Sequence, residues 1–158
     1  MKNRDKYLGC MLGGAVGDAL GYTVEFMTER DIFSRFGKNG ITGYSVSLNG
    51  IAEISDDTQM TMFTANGLLF AHACGGNYID GIATSYRDWL DTQFGVFSQR
   101  NPRAAWLGNI PGLYSPRAPG NTCVSSLRQK KLGSVAHPIN HSKGCGGVMR
   151  VAPIGLFF

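Results

Sequence analysis

Ser55-Asp56-Asp57-Thr58-Gln59-Met60-Thr61-Met62-Phe63 sets two adjacent carboxylates, flanked by hydroxyls, at the start of an apolar pattern with helical spacing. Over residues 59–74, Met60, Phe63, Gly67, Phe70 and Cys74 fall on one face and Met62, Leu69 and Ala73 on another. The spacing predicts a helix buried on most of its sides. Asp56 or Asp57 can cap that helix, because Asp and Ser are favoured N-cap residues and acids in the first turn complement the helix dipole. One Asp meets that need. A second carboxylate beside it adds repulsion unless a cation, a donor cluster or solvent relieves it, and hard cations prefer oxygen ligands of this kind. From these residues alone, a metal or polar-ligand site and a doubled cap both remain open.

Two further segments bear on that choice. Upstream runs Gly13-Gly14-Ala15-Val16-Gly17-Asp18-Ala19-Leu20-Gly21-Tyr22-Thr23-Val24-Glu25-Phe26, and downstream Gly144-Cys145-Gly146-Gly147-Val148-Met149-Arg150-Val151-Ala152-Pro153. With the acid pair between them, in this order, they resemble the ADP-ribosylglycohydrolase family. Its pattern is a Gly-Asp-Ala-Leu-Gly helix ending at a Glu, then Thr-Asp-Asp-Thr, then a glycine-rich loop running into Met-Arg-Val-Ala-Pro. Asn121-Thr122-Cys123, after Pro119-Gly120, is similar to the family's Gly-Asn-Thr element. Ser55 stands where the family usually has Thr, keeping the hydroxyl, and Lys143 and Cys145 depart from the commoner Asn and Ala. Known members are about twice this length and carry a second Asp-rich motif in their other half, which these 158 residues lack.

The resemblance implies an all-α, multi-helical bundle, with residues 1–158 as a single domain corresponding to the N-terminal half of the family domain. It implies a hydrolase that removes ADP-ribose from a modified side chain or related conjugate, cutting an N- or O-glycosidic bond. Two Mg²⁺ or Mn²⁺ ions would be held in part by Ser55, Asp56 and Asp57. Glu25 would position or deprotonate water at the scissile bond. Gly144, Cys145, Gly146 and Gly147 would embrace the ADP-ribose diphosphate and distal ribose, a role for which backbone N–H groups in a glycine-rich loop are suited. The partner is then an ADP-ribosylated protein or an ADP-ribose conjugate. A competing reading is a non-catalytic ADP-ribose-binding or structural relative, or an inactive fragment, because Ser55, Asp56 and Asp57 alone leave two cations short of ligands.

Composition agrees with a globular domain able to bury a core, at 43% hydrophobic and 16% charged residues. The 22 glycines suggest many loops and close backbone approaches. A net charge of +4, with Arg128, Lys130 and Lys131 as the one basic cluster, is too sparse for a nucleic-acid stripe. No uninterrupted apolar stretch reaches the roughly 18 residues of a membrane span. Lys2, Arg4 and Lys6 before Leu8-Gly9-Cys10-Met11-Leu12 mimic a signal sequence, but Asp18 interrupts the run and no convincing cleavage site follows. A cytoplasmic protein that partners neither nucleic acid nor membrane is expected. Cys10, Cys74, Cys123 and Cys145 lack Cys-x-x-Cys spacing and are expected to be reduced, largely buried thiols.

The remaining chain reads mostly as helix. Asn3 or Asp5 can cap a first helix whose Gly13, Gly14, Gly17 and Gly21 invite close packing; no strand precedes these glycines, which sets a Rossmann fingerprint aside. Residues 41–54 carry Val46, Leu48, Ile51 and Ile54 around Asn49-Gly50 and predict a short β-hairpin-like excursion. Residues 78–94 form another helical pattern, and four prolines make 101–120 mostly loop. Asn121 or Thr122 can cap a helix through Leu127, and Gly146 or Gly147 leads into a final helical stretch near Pro153. His137 and His141 with Cys145 lack helical pairing and a fourth zinc ligand. Asp18 suits either a buried structural acid or a group supporting the metal residues. Ile154-Gly155-Leu156-Phe157-Phe158 ends the chain on an apolar run, which reads as truncation, or as an edge for self-association or for a complementing C-terminal chain.

Overall fold

The computed structural model describes residues 4–97, 104 and 106–158, and the chain divides into two units between Ser55 and Asp56. The described residues are helical and contain no strand. In the first unit, α1 (Arg4–Gly21) has Asp5 in its first turn and continues into a 3₁₀ turn, Tyr22–Val24; Asn3, the other candidate cap, lies outside the described residues. α2 (Glu29–Phe36) starts at Thr28, whose hydroxyl oxygen accepts the Asp31 N–H at 3.3 Å, and stops at Gly37, where φ is +82°. Among the described residues, a Cβ at Gly13, Gly14, Gly17 or Gly21 would meet nothing within 4 Å.

The expected hairpin is also corrected. Its turn exists, with the Gly50 N–H donating to Ser47 O and the Ser47 N–H to Ile51 O, both at 2.9 Å, and Gly50 at φ +70°. No ladder extends from it. Val46, Leu48 and Ile51 are exposed, so alternation buries no face, and an isolated two-stranded ribbon is marginal without one.

The second unit is built on α3 (Asp56–Cys74) and α4 (Tyr78–Phe94). Between them Gly75 adopts φ +63° and Asn77 caps α4, its Oδ1 accepting the N–H groups of Ile79 and Asp80. Two glycines let the helices meet. A Cβ on Gly67 would lie 2.5 Å from Ile82 Cα, and one on Gly81 would lie 2.7 Å from Gly67 O. Gly67→Ala therefore forces backbone from backbone and is expected to cost about 1–3 kcal/mol or more; an unchanged urea midpoint would show that the crossing is looser than this geometry.

Met60, Phe63, Trp89, Leu107 and Leu113 form the core cluster, with Leu90, Cys123, Val124, Leu127 and Met149 packed against it. Burial of α3 is narrower than its pattern predicts. Leu69, Phe70, Ala73 and Cys74 are exposed, while the buried surface carries Gln59, Thr64 and Asn66. Most of these polar atoms are paired: Thr64 Oγ1 lies 2.6 Å from Tyr86 OH and Asn66 Nδ2 donates to Ala104 O at 3.1 Å, while the buried Asn66 Oδ1 has no partner among the described residues.

The proline-rich stretch contributes two 3₁₀ turns, Trp106–Asn109 and Pro111–Leu113, which carry Leu107 and Leu113 into the core; Asn101 and Pro102 fall outside the described residues. α5 (Asn121–Leu127) has Gly120 at its N-cap position, so Asn121 and Thr122 lie inside the helix instead of capping it. A 3₁₀ turn, Cys145–Gly147, is separated by residues 148–151 from α6 (Ala152–Phe157), which begins with Pro153 in its first turn. Phe157 packs edge-on against His72 and Tyr78, with centroids 5.6 and 5.4 Å away, while Phe158 is largely exposed. All four cysteines are free, but only Cys123 is even half-buried, which corrects the expectation of buried thiols. No helix among the described residues is long and apolar enough to cross a membrane.

Candidate active site

Asp56 and Asp57 are the first two residues of α3, and the chain holds Asp56 at two points. Its N–H donates to Arg117 O at 2.8 Å, and its Oδ2 accepts the Gly120 N–H at 3.0 Å. Asp56 is 5% exposed and Asp57 half-buried. Burying a carboxylate is costly unless donors compensate it, and the Gly120 amide is one such donor. Ser55, also buried, closes the first unit and donates its N–H to Asp18 Oδ2 at 2.9 Å. Asp18 is therefore a hydrogen-bonded acid that fixes the backbone one residue before the acid pair.

The loop that receives Asp56 is anchored by side-chain amides absent from the sequence-level candidates. Gln59 Oε1 accepts from Trp89 Nε1 at 3.1 Å and from Gln93 Nε2 at 2.8 Å. Gln59 Nε2 donates to Ser115 O, and the Arg117 N–H donates to Gln93 Oε1. Gln59 and Gln93 are buried, so the network positions the 115–117 backbone from the core side. A polar residue at a buried helical position is the sequence signal that could have found it; residue spacing could not show the partners.

The glycine segment meets the acid pair through α5. Gly120 donates to Asp56 on one side, and a Cβ there would lie 3.7 Å from Cys123 Sγ on the other. Cys123 in turn abuts Gly146, where a Cβ would stand 2.9 Å from its sulfur. Thr61 Oγ1 donates to Asp57 O at 2.7 Å and lies 3.1 Å from Met149 O, a second link from α3 to the same segment. Gly144, Cys145 and Gly147 are exposed and Gly146 is half-buried. Behind them Tyr86 sits in an environment whose burial pushes its phenol above the usual value, opposed by the Thr64 hydrogen bond and the nearby Arg150.

Glu25 is exposed at the end of the Tyr22–Val24 turn, its N–H donating to Tyr22 O at 3.4 Å. Glu25 and Ser55 thus belong to the first unit, and Asp56, Asp57 and Gly144 to Gly147 to the second. An open cleft of about 350 Å³ in the first unit is lined by Tyr22, Thr23, Ser45, Val46, Ser47 and Glu53.

The oxygen types at Ser55, Asp56 and Asp57 suit a hard cation, but two carboxylates and a hydroxyl are too few for a pair of ions taking about six ligands each. Among the described residues no cluster of three or more His, Cys, Asp or Glu side chains could hold a metal; His137, His141 and Cys145 form none.

Acid pair, shared loop and glycine turn are thus linked side by side in one helical unit. The ADP-ribosylglycohydrolase family model matches residues 1–158, and the chain belongs to that family. It is 30% identical over 155 residues to the ADP-ribosyl-[dinitrogen reductase] glycohydrolase of Rhodospirillum rubrum, an alignment covering 96% of this chain and 44% of that relative. The chain therefore spans less than half the length of this curated relative. No solved structure matches it.

Proposed function

We propose that the chain serves a metal-dependent hydrolase that releases ADP-ribose from a modified side chain or related conjugate by cleaving an N- or O-glycosidic bond. The observation that carries this reading is the acid pair at the start of α3, tied through Gly120 and Cys123 to the glycine turn, in a chain that matches the family model from end to end. Ser55, Asp56 and Asp57 would hold Mg²⁺ or Mn²⁺, which when bound would orient ribose hydroxyls and stabilise negative charge on oxygen. The chain's own contribution is preorganisation. Arg117 O and the Gly120 N–H hold Asp56 in place, and Asp18 holds the Ser55 backbone, so the oxygens need little rearrangement to accept a ligand. Glu25 would orient water or accept its proton. The turn at Gly144, Cys145, Gly146 and Gly147 would present backbone N–H groups to phosphate oxygens.

A second reading, a non-catalytic ADP-ribose-binding relative, is favoured by the short ligand set at Ser55, Asp56 and Asp57. Titration calorimetry with Mn²⁺ tests the shared premise. The chain is expected to bind Mn²⁺ weakly, and Asp56→Ala and Asp57→Ala are each expected to lower affinity by at least the roughly 10–100-fold seen when mere supporting groups of metal sites are lost. Tight binding that survives both substitutions would move the metal elsewhere. Metal binding with ADP-ribose affinity but no release of ADP-ribose from modified protein would favour the second reading.

A further inference from the structure

Arg150 lies outside every role assigned above, yet it touches three separate elements. Its Nε donates to Gly146 O in the glycine turn, and its Nη2 lies 2.9 Å from Cys123 Sγ on α5. The guanidinium carbon sits 4.9 Å from the centroid of the Tyr86 ring on α4. The side chain is half-buried, and Gly146 is already pressed against it: a Cβ there would come within 3.2 Å of Nη2 as well as 2.9 Å of the Cys123 sulfur. A planar guanidinium can donate in two in-plane directions while stacking on an aromatic face. A lysine ammonium, a compact point charge on a flexible stem, cannot reproduce that combination.

We infer that Arg150 is a positioning residue for the turn at residues 144–147: by clamping Gly146 O against Cys123 and the Tyr86 face it sets the turn's conformation, and hence its grip on an anionic ligand, without touching that ligand. This rests on the proposed ADP-ribose reading. The acid pair is held most directly by Arg117 O and the Gly120 N–H, which Arg150 does not touch, so cation affinity at Asp56 and Asp57 depends on the clamp less than the turn does.

The test compares the 158-residue chain with Arg150→Lys, Arg150→Met and Cys123→Ala. Three quantities are measured: amide hydrogen exchange over residues 144–149, ADP-ribose affinity and Mn²⁺ affinity. Both Arg150 variants are expected to lose exchange protection in that segment and to weaken ADP-ribose about tenfold or more, in the range of lost supporting contacts. Mn²⁺ affinity should fall by a clearly smaller factor than ADP-ribose affinity. Cys123→Ala, which keeps the bond to Gly146, should fall between these variants and the unmodified chain. Unchanged protection in Arg150→Lys and Cys123→Ala, or equal loss of Mn²⁺ and ADP-ribose binding, overturns the inference, whatever happens to the fold of Arg150→Met. If the unmodified chain binds no ADP-ribose, the functional reading falls and the exchange data alone decide the clamp.

Discussion

On the proposed hydrolase reading, Glu25→Gln in a version that also carries the second Asp-rich half of the family domain is expected to reduce kcat for hydrolysis of an ADP-ribosyl linkage by about a hundred- to ten-thousand-fold while changing ligand affinity little. A positioned acid–base or water-orienting group typically contributes that much. Glutamine keeps the size and a hydrogen-bonding oxygen but cannot take a proton, so turnover and binding should separate. Glu25 is exposed at the end of a 3₁₀ turn, and its replacement should leave the buried core undisturbed. Steady-state kinetics with an ADP-ribosylated protein and calorimetry with ADP-ribose provide the two measurements. Equal losses in turnover and binding would make Glu25 a ligand-gripping residue instead.

Trp89→Ala is expected to lower the unfolding free energy by about 3–5 kcal/mol, the range for a fully buried aromatic. Trp89 is 0% exposed and touches the core formed with Met60, Phe63, Leu107 and Leu113. Its Nε1 also supplies one of the two donors that Gln59 Oε1 accepts. Alanine opens a cavity and removes that donor. Trp89→Phe keeps most of the volume and loses mainly the hydrogen bond, which is worth about 1 kcal/mol. Because the same amides anchor Ser115 and Arg117, Trp89→Ala should also loosen Asp56, and its Mn²⁺ affinity should fall together with its stability. Urea denaturation followed by far-UV circular dichroism gives the ranking. A loss below about 1 kcal/mol for Trp89→Ala would show that the site collapses around the gap.

Helices α3 and α4 were legible because each carries a long apolar period with an acidic start signal: the acid pair for one and Asp80 near the start of the other. The hairpin was misread for a specific reason. Val46, Leu48 and Ile51 alternate as a strand would, but alternation predicts strand only where one face finds a core, and these side chains find none. Composition likewise does not single out Gly67 and Gly81, which carry the crossing of α3 and α4 yet are single glycines in ordinary helical patterns.

From residues alone, family membership, the helical class and the candidate groups Glu25, Ser55, Asp56, Asp57 and Gly144 to Gly147 were all accessible, because motif order and local periodicity are properties of chain-neighbouring residues. Tertiary structure decided how those candidates are held. Asp18 reaches Ser55 across 37 positions and Gly120 reaches Asp56 across 64. Thr61 reaches Met149 across 88, and Arg150 reaches Cys123 across 27. Such contacts link residues with no common period, and they form only once folding brings the partners together and partial burial weakens water's competition for each donor and acceptor.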